Sequence, residues 1–265
     1  MNEVKNFRTA FGEISEYSSI QHKELLRDTR TGGTIQYSVY GASESGLGRA
    51  KNGDNIYLNG IYMRSFQFTN YSKGIETEGE SALFAVAGFP SDDNWAKDVF
   101  EDMDHKYAMT LFESRKLAEK ILAQHTSRYV RLPDKTGASF GALLVTGDGA
   151  AACTLGPAGV FRYKKERLLS VAGSRKENET SLLSGNLRGG SEDIYVMCSG
   201  GLLSTMEPET IAAYIGRSKS IRLAVKSILE RAGNLTNTAD VSVIIIRVQR
   251  KRNLRRSTIL SECKR

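Results

Sequence analysis

The sequence predicts an α+β domain whose antiparallel sheets carry the core and whose helices are segregated outside them. Strand-like runs follow one another in series instead of alternating one by one with helices. The runs between Ala138 and Tyr163 are joined by short Gly- and Pro-containing turns, the pattern of a β-meander. A third observation argues against a dinucleotide-binding fold: Gly46-Leu47-Gly48 continues into Arg49-Ala50-Lys51 and never completes a glycine fingerprint ahead of a helix.

Residues 1–33 have weak periodicity and are read as an arm, with a short helix over 13–27 and a breaker at Thr31-Gly32-Gly33. The folded domain is expected over 34–248. It begins with the β-branched and aromatic run 34–40, then a Gly/Ser-rich turn, then a strand-like run over 55–64 with a turn at Asn59-Gly60. The polar stretch 71–81 reads as an exposed loop, and Ala82 to Ala87 as a strand buried on both faces. Asp92, Asp93 and Asn94 offer an N-cap and first-turn acids to a helix through Trp95, Val99, Phe100 and Met103; a second helix is expected over 107–124. After the meander, 164–190 reads as polar and loop-containing, 193–198 as a strand, Ser199-Gly200-Gly201 as a sharp turn, 207–232 as one long helix and 240–248 as a buried closing strand.

Three cysteines (Cys153, Cys198, Cys263) lack any CxxC spacing, and His22, His105 and His125 form no helical ligand pair, which argues against a disulfide framework or a zinc site. Cys153 and Cys198 fall in apolar runs and read as small buried thiols. The formal net charge of +7 resides at one end: residues 247–265 hold eight Arg or Lys against one Glu. The body is neutral, so no specific nucleic-acid surface is expected there, and 249–265 reads as a basic tail. No stretch has the length and apolarity of a membrane span and no apolar leader follows Met1, so a cytoplasmic location is expected.

The chemistry-bearing stretch is Arg49-Ala50-Lys51-Asn52-Gly53-Asp54-Asn55, which sets a cation, amides and a carboxylate between two strand-like runs. With Gly88-Phe89, Gly137-Ala138-Ser139, Gly156-Pro157-Ala158-Gly159, Ser199-Gly200-Gly201 and Ala239-Asp240-Val241-Ser242, it resembles, in order and strand context, the landmarks of the metal-dependent protein phosphatase 2C (PPM-type) family. The resemblance covers 34–248. It implies a four-layer α/β/β/α sandwich of two antiparallel sheets flanked by helices, and a centre in which two Mn²⁺ or Mg²⁺ ions, held mainly by aspartates, activate water against a phosphoserine or phosphothreonine. Hard dications need several carboxylates to stay bound and to make water nucleophilic.

On that resemblance Arg49 matches the phosphate-binding arginine and Asp54 a metal-ligand aspartate. The other acidic positions are emptied: Gly53 stands between the Asn and Asp, Gly88 at the bridging aspartate, Gly200 at the Ser-Asp-Gly aspartate and Ala239 at the last ligand, while Phe89 replaces a carbonyl-donating glycine. A retained scaffold with emptied ligand positions implies a pseudophosphatase, a regulatory or scaffold module that engages a kinase or phosphoprotein, with no cofactor expected. The alternative is an active phosphatase with a rearranged Mn²⁺ or Mg²⁺ site built from Asp54, Asp92 and Asp240. Asp240 is offset by one residue from the ligand position, and in a strand one step reverses the side-chain direction, against simple substitution.

Blander readings stand beside these. Arg49 either binds a phosphate or carboxylate or pairs with a surface acid. Asp54 as a lone carboxylate is a turn cap, and Asp92 and Asp93 are helix-start acids. Arg255-Arg256-Ser257-Thr258 resembles a basophilic kinase substrate, with Ser257 and Thr258 as acceptors, in a tail that otherwise is a solvated end or tethers the domain to nucleic acid or an anionic membrane.

Overall fold

The computed structural model describes residues 35–65, 68–89, 94–107, 137–146, 149–172, 185–188, 192–235 and 238–250. The arm 1–33, the helix expected over 107–124 beyond its first residue, Asp92 and Asp93, and the tail from 251 with Ser257, Thr258 and Cys263 lie outside the described residues.

Two antiparallel sheets form the body. One has six strands in the order β3 (Asn70–Gly79), β1 (Ile35–Glu44), β11 (Val241–Arg250), β10 (Glu192–Cys198), β7 (Gly159–Lys164) and β8 (Arg167–Ala172). The other has five, in the order β2 (Asp54–Leu58), β4 (Ser81–Gly88), β5 (Ser139–Thr146), β6 (Gly149–Leu155) and β9 (Gly185–Arg188). Phe84, Val86, Leu143 and Val145 from the second sheet meet Ile35, Tyr195, Met197, Ile244 and Ile246 from the first in one apolar layer. Trp95, Val99, Phe100 and Met103 of α1 (Trp95–Tyr107) pack on the outer face of the five-stranded sheet, against Ala85, Phe140 and Leu144. Across the molecule Leu202, Ile211, Val225 and Ile228 of α2 (Gly200–Thr205), α3 (Pro208–Arg217) and α4 (Ile221–Gly233) cover Val196, Val243 and Ile245. The layer order is helix, sheet, sheet, helix, the α/β/β/α sandwich that the resemblance implies. β4, β5 and β6 are buried on both faces, which is why they read as unbroken apolar runs.

Several local expectations are corrected. The stretch 71–81 is not a loop: residues 70–79 form β3, paired along its whole length with β1. As an edge strand it exposes most of its side chains on both faces, so no apolar alternation betrays it. The run 55–64 stops being a strand at Leu58; Asn59 and Gly60 both have positive φ in a tight turn closed by Leu58 and Ile61, and only that one bridge follows. The polar segment 164–190, expected to contain a loop, also contributes two strands, β8 and β9. The single helix expected over 207–232 is two, interrupted before Ser220, whose Oγ accepts the Leu223 N–H as an N-cap. Ser199-Gly200-Gly201 is no free turn: Ser199 is the N-cap residue of α2. No helix among the described residues is long and apolar enough to cross a membrane.

The topology gathers the landmark residues at one end of the sandwich. Pairing places Asp54 beside Gly88 and Gly88 beside Ser139 in one sheet, and Ser43 beside Ser242 in the other. Residues 45–53 pass from one sheet to the other across this end.

Candidate functional site

At this end the side chains close on one another. Asp240 is buried just ahead of β11, so strand alternation does not govern its direction. Its Oδ1 accepts from the Gly46 N–H (2.8 Å) and its Oδ2 from the Gly53 N–H (2.7 Å), while Arg49 Nη1 stands 3.1 Å from Oδ2. The acid facing Arg49 is therefore buried, not on the surface as one sequence reading had it. Both oxygens of Asp240 hold the loop that carries the arginine.

Asp54 anchors a second group. Its backbone N–H donates to Asn52 Oδ1 (2.9 Å), and Asn52 Nδ2 donates to Ser43 Oγ (2.8 Å) and the Thr69 carbonyl (3.2 Å). Ser242 Oγ lies 2.7 Å from Ser43 Oγ and 3.1 Å from Asp54 Oδ2. Burial drives the Asp54 carboxyl up to about 7; hydrogen bonds from Ser199 and Ser242 and the Arg49 charge pull it down, and Asp240 pushes it further up. Ser199 Oγ accepts the Ser242 N–H (3.0 Å), and Ser139 Oγ accepts the Gly200 N–H (3.0 Å).

Gly53, Gly88 and Gly200 carry no side chain, and the protein fills the space beside Gly88 and Gly200. A Cβ at Gly88 would overlap Asp54 Oδ1 and lie 2.7 Å from Asp54 Cγ. A Cβ at Gly200 would overlap Pro157 Cγ and stand 3.0 Å from Pro157 Cβ. Gly156, with φ of 63°, puts that turn in place, and its missing Cβ would overlap the Ala138 carbonyl. Phe89 is buried against Trp95. Gly53 gives its N–H to Asp240, and Ala239 precedes that residue with no oxygen donor on its side chain.

Two dications at this end would require several free carboxylate oxygens. Among the described residues, the two carboxylates in these bonds are Asp54, whose proton affinity is raised, and Asp240, whose oxygens already hold an arginine and two amides. Among the described residues no three His, Cys, Asp or Glu side chains converge as a metal donor set. The described residues do not fit a two-metal centre. Asp92, the remaining member of the rearranged set, lies outside the described residues.

Residue-type reasoning singled out Arg49 and Asp54 but not Ser43, Ser139, Ser199, Ser242 or Pro157. A serine is too common to flag by itself. The usable signal was positional: four of these five fall inside landmark turns, and Ser43 is the strand partner of Ser242.

No family model matches the sequence, and no curated protein matches it. Solved structures do match by fold. The S. agalactiae serine/threonine phosphatase aligns with a TM-score of 0.59 at 13% identity, over 79% of this chain and 98% of that one. The catalytic domain of the serine/threonine phosphatase PstP in complex with two manganese ions aligns at 0.55 and 14% identity, over 80% and 99%. PppA, a regulatory component of T6SS in Pseudomonas aeruginosa, aligns at 0.57 and 14% identity, over 80% and 98%. Identities this low speak to architecture alone, and on architecture they agree: the chain has the phosphatase-2C-like fold of the PPM-type Ser/Thr phosphatases.

Proposed function

We propose that the chain is a catalytically inactive PPM-like module that acts by binding a protein partner, a kinase or a phosphoprotein, over the end of the sandwich where the family resemblance puts the two-metal centre. The observation that carries this reading is the commitment of Asp240 to Gly46, Gly53 and Arg49 beside an Asp54 that holds its proton to about pH 7. Among the described residues, negative charge is scarce where two dications would need it. The Arg49 side chain is a quarter exposed, so an incoming phosphate or carboxylate can reach its guanidinium and compete with Asp240 for it. The assay is hydrolysis of a phosphothreonine peptide and of p-nitrophenyl phosphate with Mn²⁺. No turnover above buffer is expected, and turnover abolished by Asp54→Ala would overturn the proposal.

One observation favours a second reading, an active phosphatase with a rearranged site. Asp54 and Asp240 do come together, close enough for the charge of one to raise the proton affinity of the other. With Asp92 they would have to hold two cations. Calorimetry separates the readings: two Mn²⁺ bound at micromolar concentration supports this one, and no heat at millimolar Mn²⁺ excludes it.

A further inference from the structure

We infer that this end of the sandwich is a metal-free clamp that fastens the two sheets and the 45–53 crossover to each other, so that the fold is held by its own side chains at the place where the family resemblance puts two metal ions. Three ties run between the layers. Asp54 of β2 meets Ser242 of β11 at 3.1 Å and, through its backbone carbonyl, Ser43 of β1 at 3.4 Å. Ser139 of β5 accepts the N–H of Gly200, the first residue of α2, which follows β10. Asp240, ahead of β11, holds Gly46, Arg49 and Gly53 of the crossover.

Each tie joins residues far apart in sequence: 188 positions between Asp54 and Ser242, 61 between Ser139 and Gly200, 194 between Gly46 and Asp240. The acceptors are buried, so every bond removed leaves a donor or acceptor without water to replace it. Pro157 completes the closure from the side of the β6–β7 turn by occupying the space that a side chain at position 200 would need. A rigid ring does not swing aside as the end of a long side chain would. A single return of aspartate at Gly200 therefore does not reopen a metal site; it collides with the turn.

The inference shares with the proposed function the poor fit of the donor set to metals, yet the two fail separately: turnover by the native chain sinks that proposal, whereas the clamp is read from unfolding. Thermal unfolding of the full chain is followed by circular dichroism with and without 5 mM MnCl₂, a concentration chosen on the order of weak divalent sites. The native Tm is expected to stay within about 1 °C on adding the ion, since a ligand that does not bind the folded state cannot raise it. Arg49→Gln and Asp240→Asn are each expected to lower Tm by roughly 5–10 °C, and the double variant by little more than the larger single one, because the pair is lost once. Where Asp240→Asn does not fold, Arg49→Lys, which keeps the charge and loses the fork, gives the same comparison with a smaller loss. Gly200→Asp is expected to lower Tm by a similar amount, with part of the loss recovered in Gly200→Asp/Pro157→Ala. A native Tm raised by several degrees by Mn²⁺, additive losses at Arg49 and Asp240, or a Gly200→Asp protein as stable as the native chain would each overturn the clamp.

Discussion

Arg49 with Asp240 and Arg162 with Asp193 use the same two groups at two places in the fold. In both pairs the carboxylate is buried and the arginine partly exposed. Their surroundings differ. Arg162 on β7 and Asp193 on β10 lie on adjacent strands of one sheet whose ladder is already complete, and the Tyr195 hydroxyl adds a donor to the same carboxylate at 3.4 Å. Asp240 holds backbone amides and an arginine of the crossover, which is also anchored by the Ser45 and Asn52 N–H groups, donating to the Thr69 and Phe68 carbonyls, and by the Asn52 side chain. The first pair decorates a structure that strand pairing has made; the second makes structure where strand pairing has stopped.

The largest effect should come from breaking that contrast directly. Asp240→Ala leaves two buried amides and a guanidinium without their acceptor, a loss on the order of 3–5 kcal/mol. Asp193→Ala lets Arg162 turn to solvent beside an intact ladder, and roughly half that loss is expected. In thermal unfolding the former should fall by about 10 °C and the latter by about 5 °C. The sharper readout is local. Trypsin should cut after Arg49 and Lys51 much faster in Asp240→Ala and at the native rate in Asp193→Ala; equal cutting in the two variants would mean that the crossover does not depend on Asp240.

Next in size is the pH dependence of Asp54. Its carboxyl is raised from the ordinary range to about 7, so the folded state binds a proton that the unfolded chain has released. The stabilisation is complete below about pH 4 and is lost as pH rises towards and through 7, on the order of a few kcal/mol across that window. Asp54→Asn keeps the shape and removes the charge. Its Tm should match the native chain near pH 4 and exceed it by a margin that grows up to about pH 7, which scanning calorimetry from about pH 4 to about pH 8 decides. Identical profiles in the two proteins would place the proton elsewhere.

The architecture was legible because buried strands declare themselves: Ala82 to Ala87 and Val243 to Ile246 are apolar runs that only a two-faced core accommodates. The edge strand β3 was not, since Ser72, Lys73, Glu76 and Glu78 face water and carry a loop's composition; what makes them a strand is the backbone ladder to β1, formed by residues far outside any local window. That Gly88 and Gly200 stand where the family resemblance expects aspartates was legible in the sequence. That Asp54 and Pro157 fill the space beside them was not, because the contacts join segments about 34 and 43 positions apart in sequence. Strand alternation is the wrong guide to Asp240, because the residue lies one position before β11 begins; its carboxylate is turned to the crossover by the Gly46 and Gly53 amides and Arg49.

Ser242 allows the finest test, because it touches both the clamp and the charge. Its hydroxyl stands 3.1 Å from Asp54 Oδ2 and 2.7 Å from Ser43 Oγ, and its bond to the carboxylate favours the ionised form, pulling the Asp54 carboxyl down against burial. Ser242→Ala removes that donor and leaves the strand pairing of β11 with β1 in place. Stability at pH 5, where Asp54 is protonated, should fall by only about 1 kcal/mol, the typical net worth of one hydrogen bond. The acid-to-neutral transition of Asp54 should move to higher pH, so the loss relative to the native chain widens between pH 6 and pH 8. A constant offset across that range would show that the hydroxyl serves Ser43 alone; a widening one ties it to the Asp54 carboxylate, and with it ties the two sheets through a group whose charge the fold suppresses.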